Sequence, residues 1–127
     1  MIALYNDSVI FLVEQAIKRN RRGYEMQETE VLVKTDTVRV RVMALTPREV
    51  AAWHFHTQVN DDIFCLTGKI VVRMQKPDEE ILLSPGQRVR IETGRVHQLE
   101  NLEETEATYL LVQGIGLYDF NVINPKE

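Results

Sequence analysis

All three histidines of this 127-residue chain fall in two short stretches, and their spacing suits the binding of a metal ion. The first stretch is His54-Phe55-His56-Thr57-Gln58-Val59-Asn60-Asp61, which runs on to Gly68. The second runs from Gly86 through Glu92-Thr93-Gly94-Arg95-Val96-His97 to Asn101. On an extended strand, side chains two apart point to the same face, so His54 and His56 present their rings together. Their backbones are then about 6.6 Å apart. Imidazole nitrogens bind transition metals at about 2.0–2.1 Å, so both rings reach one ion. Asp61 follows with a carboxylate, and His97 joins if a later strand returns to the same place. His54, His56, Asp61 and His97 together suit one divalent transition metal ion, whether Ni, Zn, Mn, Fe or Co.

The elements that must position these residues are mostly strands. Thr37-Val38-Arg39-Val40-Arg41-Val42 alternates strictly, as a half-buried strand does. Thr46-Pro47-Arg48-Glu49 reads as a turn. Val50 to His56 reads as a strand with Ala52, His54 and His56 on one face and Trp53 and Phe55 on the other. Further strands are predicted at 62–66, 69–74, 88–91, 96–99 and 108–113. Lys76-Pro77-Asp78-Glu79 and Ser84-Pro85-Gly86 supply turns between them. Ahead of the strands, about Asp7 to Arg22 reads as one amphipathic helix, with Val9, Leu12, Val13, Ala16 and Ile17 at helical spacing. Its last turn carries Lys18, Arg19, Arg21 and Arg22, where cations suit the helix dipole, and Gly23 follows. Many short strands separated by turns predict an all-β sandwich or barrel.

Composition excludes several classes. A net charge of −4 lacks the basic face of a general nucleic-acid binder. No apolar stretch approaches the roughly 20 residues of a membrane-spanning helix, and no signal-peptide pattern opens the chain. A single cysteine, Cys65, excludes an intrachain disulfide and fits a reducing compartment. A cytoplasmic, single-domain protein is expected, with no nucleic-acid and no membrane partner.

The two histidine stretches resemble the paired motifs of the cupin superfamily, and in particular small single-domain cupins of unassigned function. The usual first motif is Gly, five residues, His-x-His, three or four residues, Glu, six residues, Gly; here His54, His56 and Gly68 match, with Asp61 at the Glu position. The usual second motif is Gly, five residues, Pro-x-Gly, two residues, His, three residues, Asn; here Gly86, Gly94, His97 and Asn101 match. Arg48 stands in place of the first Gly and Glu92 in place of the Pro. Asp61 is one methylene shorter than the usual Glu. The resemblance implies a double-stranded β-helix of jelly-roll type over about residues 30–115. With the helix read from periodicity, the expected layout is an N-terminal helix and lead-in at 1–29, a cupin β-barrel at 30–120 and a C-terminal tail at 121–127.

Four protein ligands on a metal of octahedral preference leave open positions, the mark of a catalytic site. A divalent ion so held retains about one net positive charge, enough to polarise a carbonyl or hold a chelating acid. The resemblance spans dioxygenases, isomerases, epimerases and decarboxylases. The leading expectation is a metal-dependent enzyme acting on a small polar metabolite. The alternative is a metal-assisted ligand-binding or sensor domain without turnover. Gln58 and Asn60 flank the ligands. Tyr109, Tyr118 and Asp119 are further polar candidates, Asp119 as a general base; a glycine-rich tail packing across the barrel mouth is the preferred reading of that segment. Asn101 reads as a turn or strand-end residue rather than a catalyst. The apolar helix stripe, with Trp53, Phe55, Val31 and Val33, predicts a homodimer.

Overall fold

The computed structural model describes residues 26–123. Its strands are β1 (Gln27–Lys34), β2 (Arg39–Leu45), β3 (His54–Phe55), β4 (Asn60–Thr67), β5 (Ile70–Met74), β6 (Glu79–Leu83), β7 (Arg88–Ile91), β8 (His97–Asn101), β9 (Ala107–Gly114) and β10 (Asn121–Val122). They form two five-stranded sheets, ordered β1-β2-β9-β4-β7 and β10-β3-β8-β5-β6. Every pairing is antiparallel. The amphipathic helix expected over about residues 7–22 lies outside the described residues.

Period-two alternation builds the core. On β9, Ala107, Tyr109, Leu111 and Gln113 are buried and their neighbours half-buried. On β4 the buried set is Asp61, Ile63 and Cys65, and on β8 it is His97, Leu99 and Asn101. Side chains of one parity therefore meet between the sheets, as a two-sheet jelly roll requires. The apolar part gathers around Met43, Leu45, Ile63, Ile70, Val72, Leu83, Ile91, Leu99 and Leu111. Cys65 belongs to it as a small buried hydrophobe with a free thiol.

β2 shows the opposite of the usual assignment of valine inside and arginine outside. Arg41 is buried and shares the inner face with Met43 and Leu45, while Val40 and Val42 are only half-buried. A charge is tolerable there because it is met by hydrogen bonds. Arg41 donates from Nη2 to Gln113 Oε1 at 2.6 Å and from Nη1 to Glu28 Oε1 at 3.3 Å.

The expected strand from Val50 to His56 is much shorter. Only His54 and Phe55 are strand, and Val50 makes one isolated bridge to Glu100. Val50 and Ala51 instead run along the edge of β8, where Ala51 N donates to Leu99 O at 2.9 Å. The predicted turn at Thr46–Glu49 is present, closed by Glu49 N donating to Thr46 O at 3.0 Å. Arg48 has φ of 60° in it. That left-handed backbone is what a glycine would ease at this position of the cupin motif. The Arg48 side chain offsets the cost by donating from Nη1 to Leu102 O.

Candidate metal centre

His54 and His56 come from β3 and the residue that follows it, His97 from the neighbouring β8. His54 and His97 are cross-strand partners, so their side chains share a face, and their ring centroids are 4.2 Å apart. The His56 ring lies 5.2 Å from that of His54 and 5.4 Å from that of His97. One ring nitrogen from each of the three lies within 4.8 Å of the others. Nitrogens on opposite sides of one ion would be about 4.2 Å apart, so small inward rotations suffice. All three residues are buried.

The hydrogen bonds of the rings settle which nitrogens face inward. His54 Nδ1 meets Ala52 O at 2.9 Å, His56 Nδ1 meets Asp119 O at 2.6 Å, and His97 Nδ1 meets Arg95 O at 2.8 Å. A backbone carbonyl only accepts, so each Nδ1 carries a proton and each Nε2 is left to face the centre. Metal-binding histidines are oriented by such outer contacts. Burial, reinforced by the His97 ring, pulls the pKa of His54 down to about 3, so this ring is neutral near pH 7.

Asp61 stands against this group from the opposite sheet. Its Oδ2 is 3.2 Å from His56 Nε2 and 3.3 Å from His97 Nε2. Its Oδ1 accepts from Gln113 Nε2 at 3.0 Å. Burial alone would push the Asp61 carboxyl up, but the facing His56 and His97 rings outweigh it and hold the group well below the usual carboxylate range. Two imidazole lone pairs aimed at a carboxylate repel it unless something positive lies between. A proton on one ring answers that need, and so does a metal cation. The donor set therefore fits a divalent ion, with the three histidines around it and Asp61 at its side.

The segment after β9 closes the mouth of the barrel over this centre. β10 pairs with β3, with Asn121 opposite Phe55 and Val122 opposite His54. Phe120 packs 4.6 Å from the His54 ring and Tyr118 5.5 Å from the His56 ring. Gly116 is pinned between two loops: its N donates to Thr37 O, and a Cβ there would fall 2.2 Å from Gln58 O. The space left among His54, His56, Asp61, His97, Tyr118 and Phe120 is about 10 Å³, room for one water-sized sphere.

The other polar candidates are occupied structurally. Asn60 Oδ1 accepts from the N and Oγ1 of Thr93, which ties the turn before His97 to β4. Gln58 is exposed and meets Gly116 through its backbone. Both Asp119 carboxylate oxygens accept from Thr57, and these bonds lower its pKa, which suits a cap better than a general base. Asn101 Nδ2 donates to Leu45 O, Thr46 O and Thr105 O, the strand-end role expected of it. Tyr109 is fully buried and lines the central space. Gln113 and Arg41 were not predicted as site residues. Their one sequence signal is polarity at inward positions of β9 and β2, visible only once the facing of those strands is known.

A family model described as "Cupin domain" matches residues 41–113, more than half of the chain. Among curated proteins no sequence relative matches. Solved structures show the same fold. An uncharacterized conserved protein with a double-stranded β-helix domain from Klebsiella pneumoniae is 19% identical, with a TM-score of 0.66 over 81% of this chain and 90% of its own. TT1209 from Thermus thermophilus is 25% identical, with a TM-score of 0.62 over 79% of this chain and 94% of its own. An oxalate oxidase in complex with the substrate analogue glycolate is 16% identical, with a TM-score of 0.68 over 83% of this chain and 58% of its own. The matched span takes in His54, His56, Asp61 and His97 together with the strands that hold them, and the chain belongs to the cupin superfamily.

Proposed function

We propose that this cupin is a metal-dependent enzyme acting on a small polar metabolite, with His54, His56, His97 and Asp61 holding one divalent transition metal ion. The observation that carries the reading is the shared orientation of the three rings, each with Nδ1 on a backbone carbonyl and Nε2 turned to the centre. When bound, such an ion supplies a Lewis acid for dioxygenase, isomerase, epimerase or decarboxylase chemistry. The chain's own part is positional. Gln113 fixes the Asp61 carboxylate, and Tyr118 and Phe120 exclude water from the centre. A non-catalytic ligand-binding or sensor role is the second reading, favoured by the closed mouth and the small space behind it.

Elemental analysis of protein purified without chelator tests the first part, and near-stoichiometric Ni, Zn, Mn, Fe or Co is expected. His56→Ala should lose most of it. Asp61→Asn should weaken affinity by at least about tenfold while the barrel stays folded. Protein that stays metal-free, with a melting temperature unmoved by added ions, would reject the site. Turnover on a panel of diketones, keto acids, sugar acids and aromatic diols separates the two functional readings, since a sensor would bind without converting.

A further inference from the structure

Beside the closed mouth lies a second pocket of about 300 Å³, lined by Lys34, Thr35, Thr37, Arg39, Gln113 and Tyr118, with Asp36 also on its wall. That volume is at the small-molecule end of ligand sites. Gln113 and Tyr118 also line the space at the histidine centre, so the two cavities share a wall.

Arg39 in this pocket differs from every other arginine among the described residues. Arg41, Arg73, Arg88, Arg90 and Arg95 each reach a carboxylate, and Arg48 donates to a carbonyl. Among the described residues the Arg39 side chain makes no ion pair and no hydrogen bond, and its buried Nε has no partner. Its guanidinium lies 3.9 Å over the Tyr118 ring, a contact that uses its face and none of its N–H donors. Asp36 forms no ion pair with it.

The β1–β2 hairpin adds a second observation. Lys34 and Arg39 are direct cross-strand partners, so two cations occupy one face at adjacent positions. Like charges placed opposite each other destabilise a ladder unless an anion lies between them. Register then links the pocket to the centre. Arg39 is the partner of Gln113, and Gln113 is the partner of Asp61, which places the three in one row across β2, β9 and β4.

We propose that this pocket binds the carboxylate of a small organic acid, with Arg39 as its anchor and Lys34 beside it. The acid's other end reaches the histidine centre when Tyr118 swings off Arg39. The guanidinium fork matches a carboxylate in two parallel hydrogen bonds. Two strand spacings, about 10 Å, separate the backbones of β2 and β4. A short carbon skeleton therefore suits the span better than a two-carbon acid. The second half of this inference rests on the metal reading, whereas the anion site stands without it.

Calorimetric titration with succinate, inorganic phosphate and neutral succinamide, on metal-free and metal-loaded protein, tests it. Succinate should bind, succinamide should not, and Arg39→Met should weaken succinate at least tenfold with metal content unchanged. Arg39→Lys keeps the charge without the fork and should lose less; it also serves if the Met variant fails to fold. Metal loading should tighten succinate binding further. Equal binding with and without metal would keep the anion site and reject its link to the centre. Phosphate binding without succinate binding would overturn the carboxylate assignment. Stoichiometric metal with succinate binding indifferent to Arg39 would overturn the pocket and leave the metal site intact.

Discussion

Gln113 is the residue on which the centre's geometry turns. It donates to Asp61 and accepts from Arg41, joining the carboxylate beside the histidines to a buried cation. Gln113→Leu keeps the volume but removes both bonds. It should cost about 1–3 kcal/mol of stability, because two buried charged groups lose a partner. Metal affinity should fall about 10–100-fold, the usual scale for outer contacts of a ligand. Chemical denaturation and a competitive chelator titration read the two effects; unchanged metal affinity would show that Asp61 needs no positioning. At this scale the meeting of the three histidines was legible because His-x-His on an extended segment puts both rings on one face, and the second motif returns His97 opposite His54. Gln113, Arg39 and Arg41 were not. Charged and polar residues alternating with valine look like a solvent face, and only the register of β2 against β9 reveals that they point inward.

At the scale of elements, turn chemistry was read better than strand length. The turns at Thr46–Glu49 and Ser84–Gly86 are where their Pro, Gly and polar residues placed them, and the one predicted at Lys76–Glu79 sits one residue earlier, since Glu79 already opens β6. The strand from Val50 was overextended, since alternation alone does not show that a ladder partner exists; β8 is only five residues long and β10 only two. Arg48 offers a measurement on one of these turns. Both Arg48→Ala and Arg48→Gly lose the bond to Leu102 O. Only glycine relieves the left-handed backbone, so the Gly variant should be more stable than the Ala variant by about 1 kcal/mol. Thermal melts of the pair decide it, and equal melting temperatures would mean that the turn relaxes without cost.

For the whole molecule, the jelly roll was legible through the cupin motifs, which fix where the two sheets meet. The covering of its surface was not. Trp53 and Phe55, read as an apolar outer face, are half-buried, and β10 runs along their strand, with Ile123 N donating to Trp53 O. Exposed apolar side chains remain at several places among the described residues, and three in a row lie on β1, where Val31, Leu32 and Val33 are 44%, 50% and 43% exposed on an edge strand. Edge strands of this kind need pairing or covering. A homodimer is our proposal for the assembly, and light scattering at micromolar concentration should give twice the chain mass. A single-chain mass unchanged by concentration rejects it. Among the described residues no helix is long and apolar enough to cross a membrane.

The bond from His56 Nδ1 to Asp119 O makes the segment that closes the barrel part of the ligand set's own support. Thermodynamic reciprocity then applies. If docking of that segment orients His56 and favours the ion by some factor, the ion must favour docking by the same factor. Residues 118–122 would then be a gauge of occupancy, cut slowly by an endoprotease when an ion is bound and faster when a chelator strips it. Truncation after Leu117 should cost metal affinity by the factor that loading gains in protection. Any partner that lifted this segment would draw down the ion's affinity from outside the barrel, without touching a single histidine.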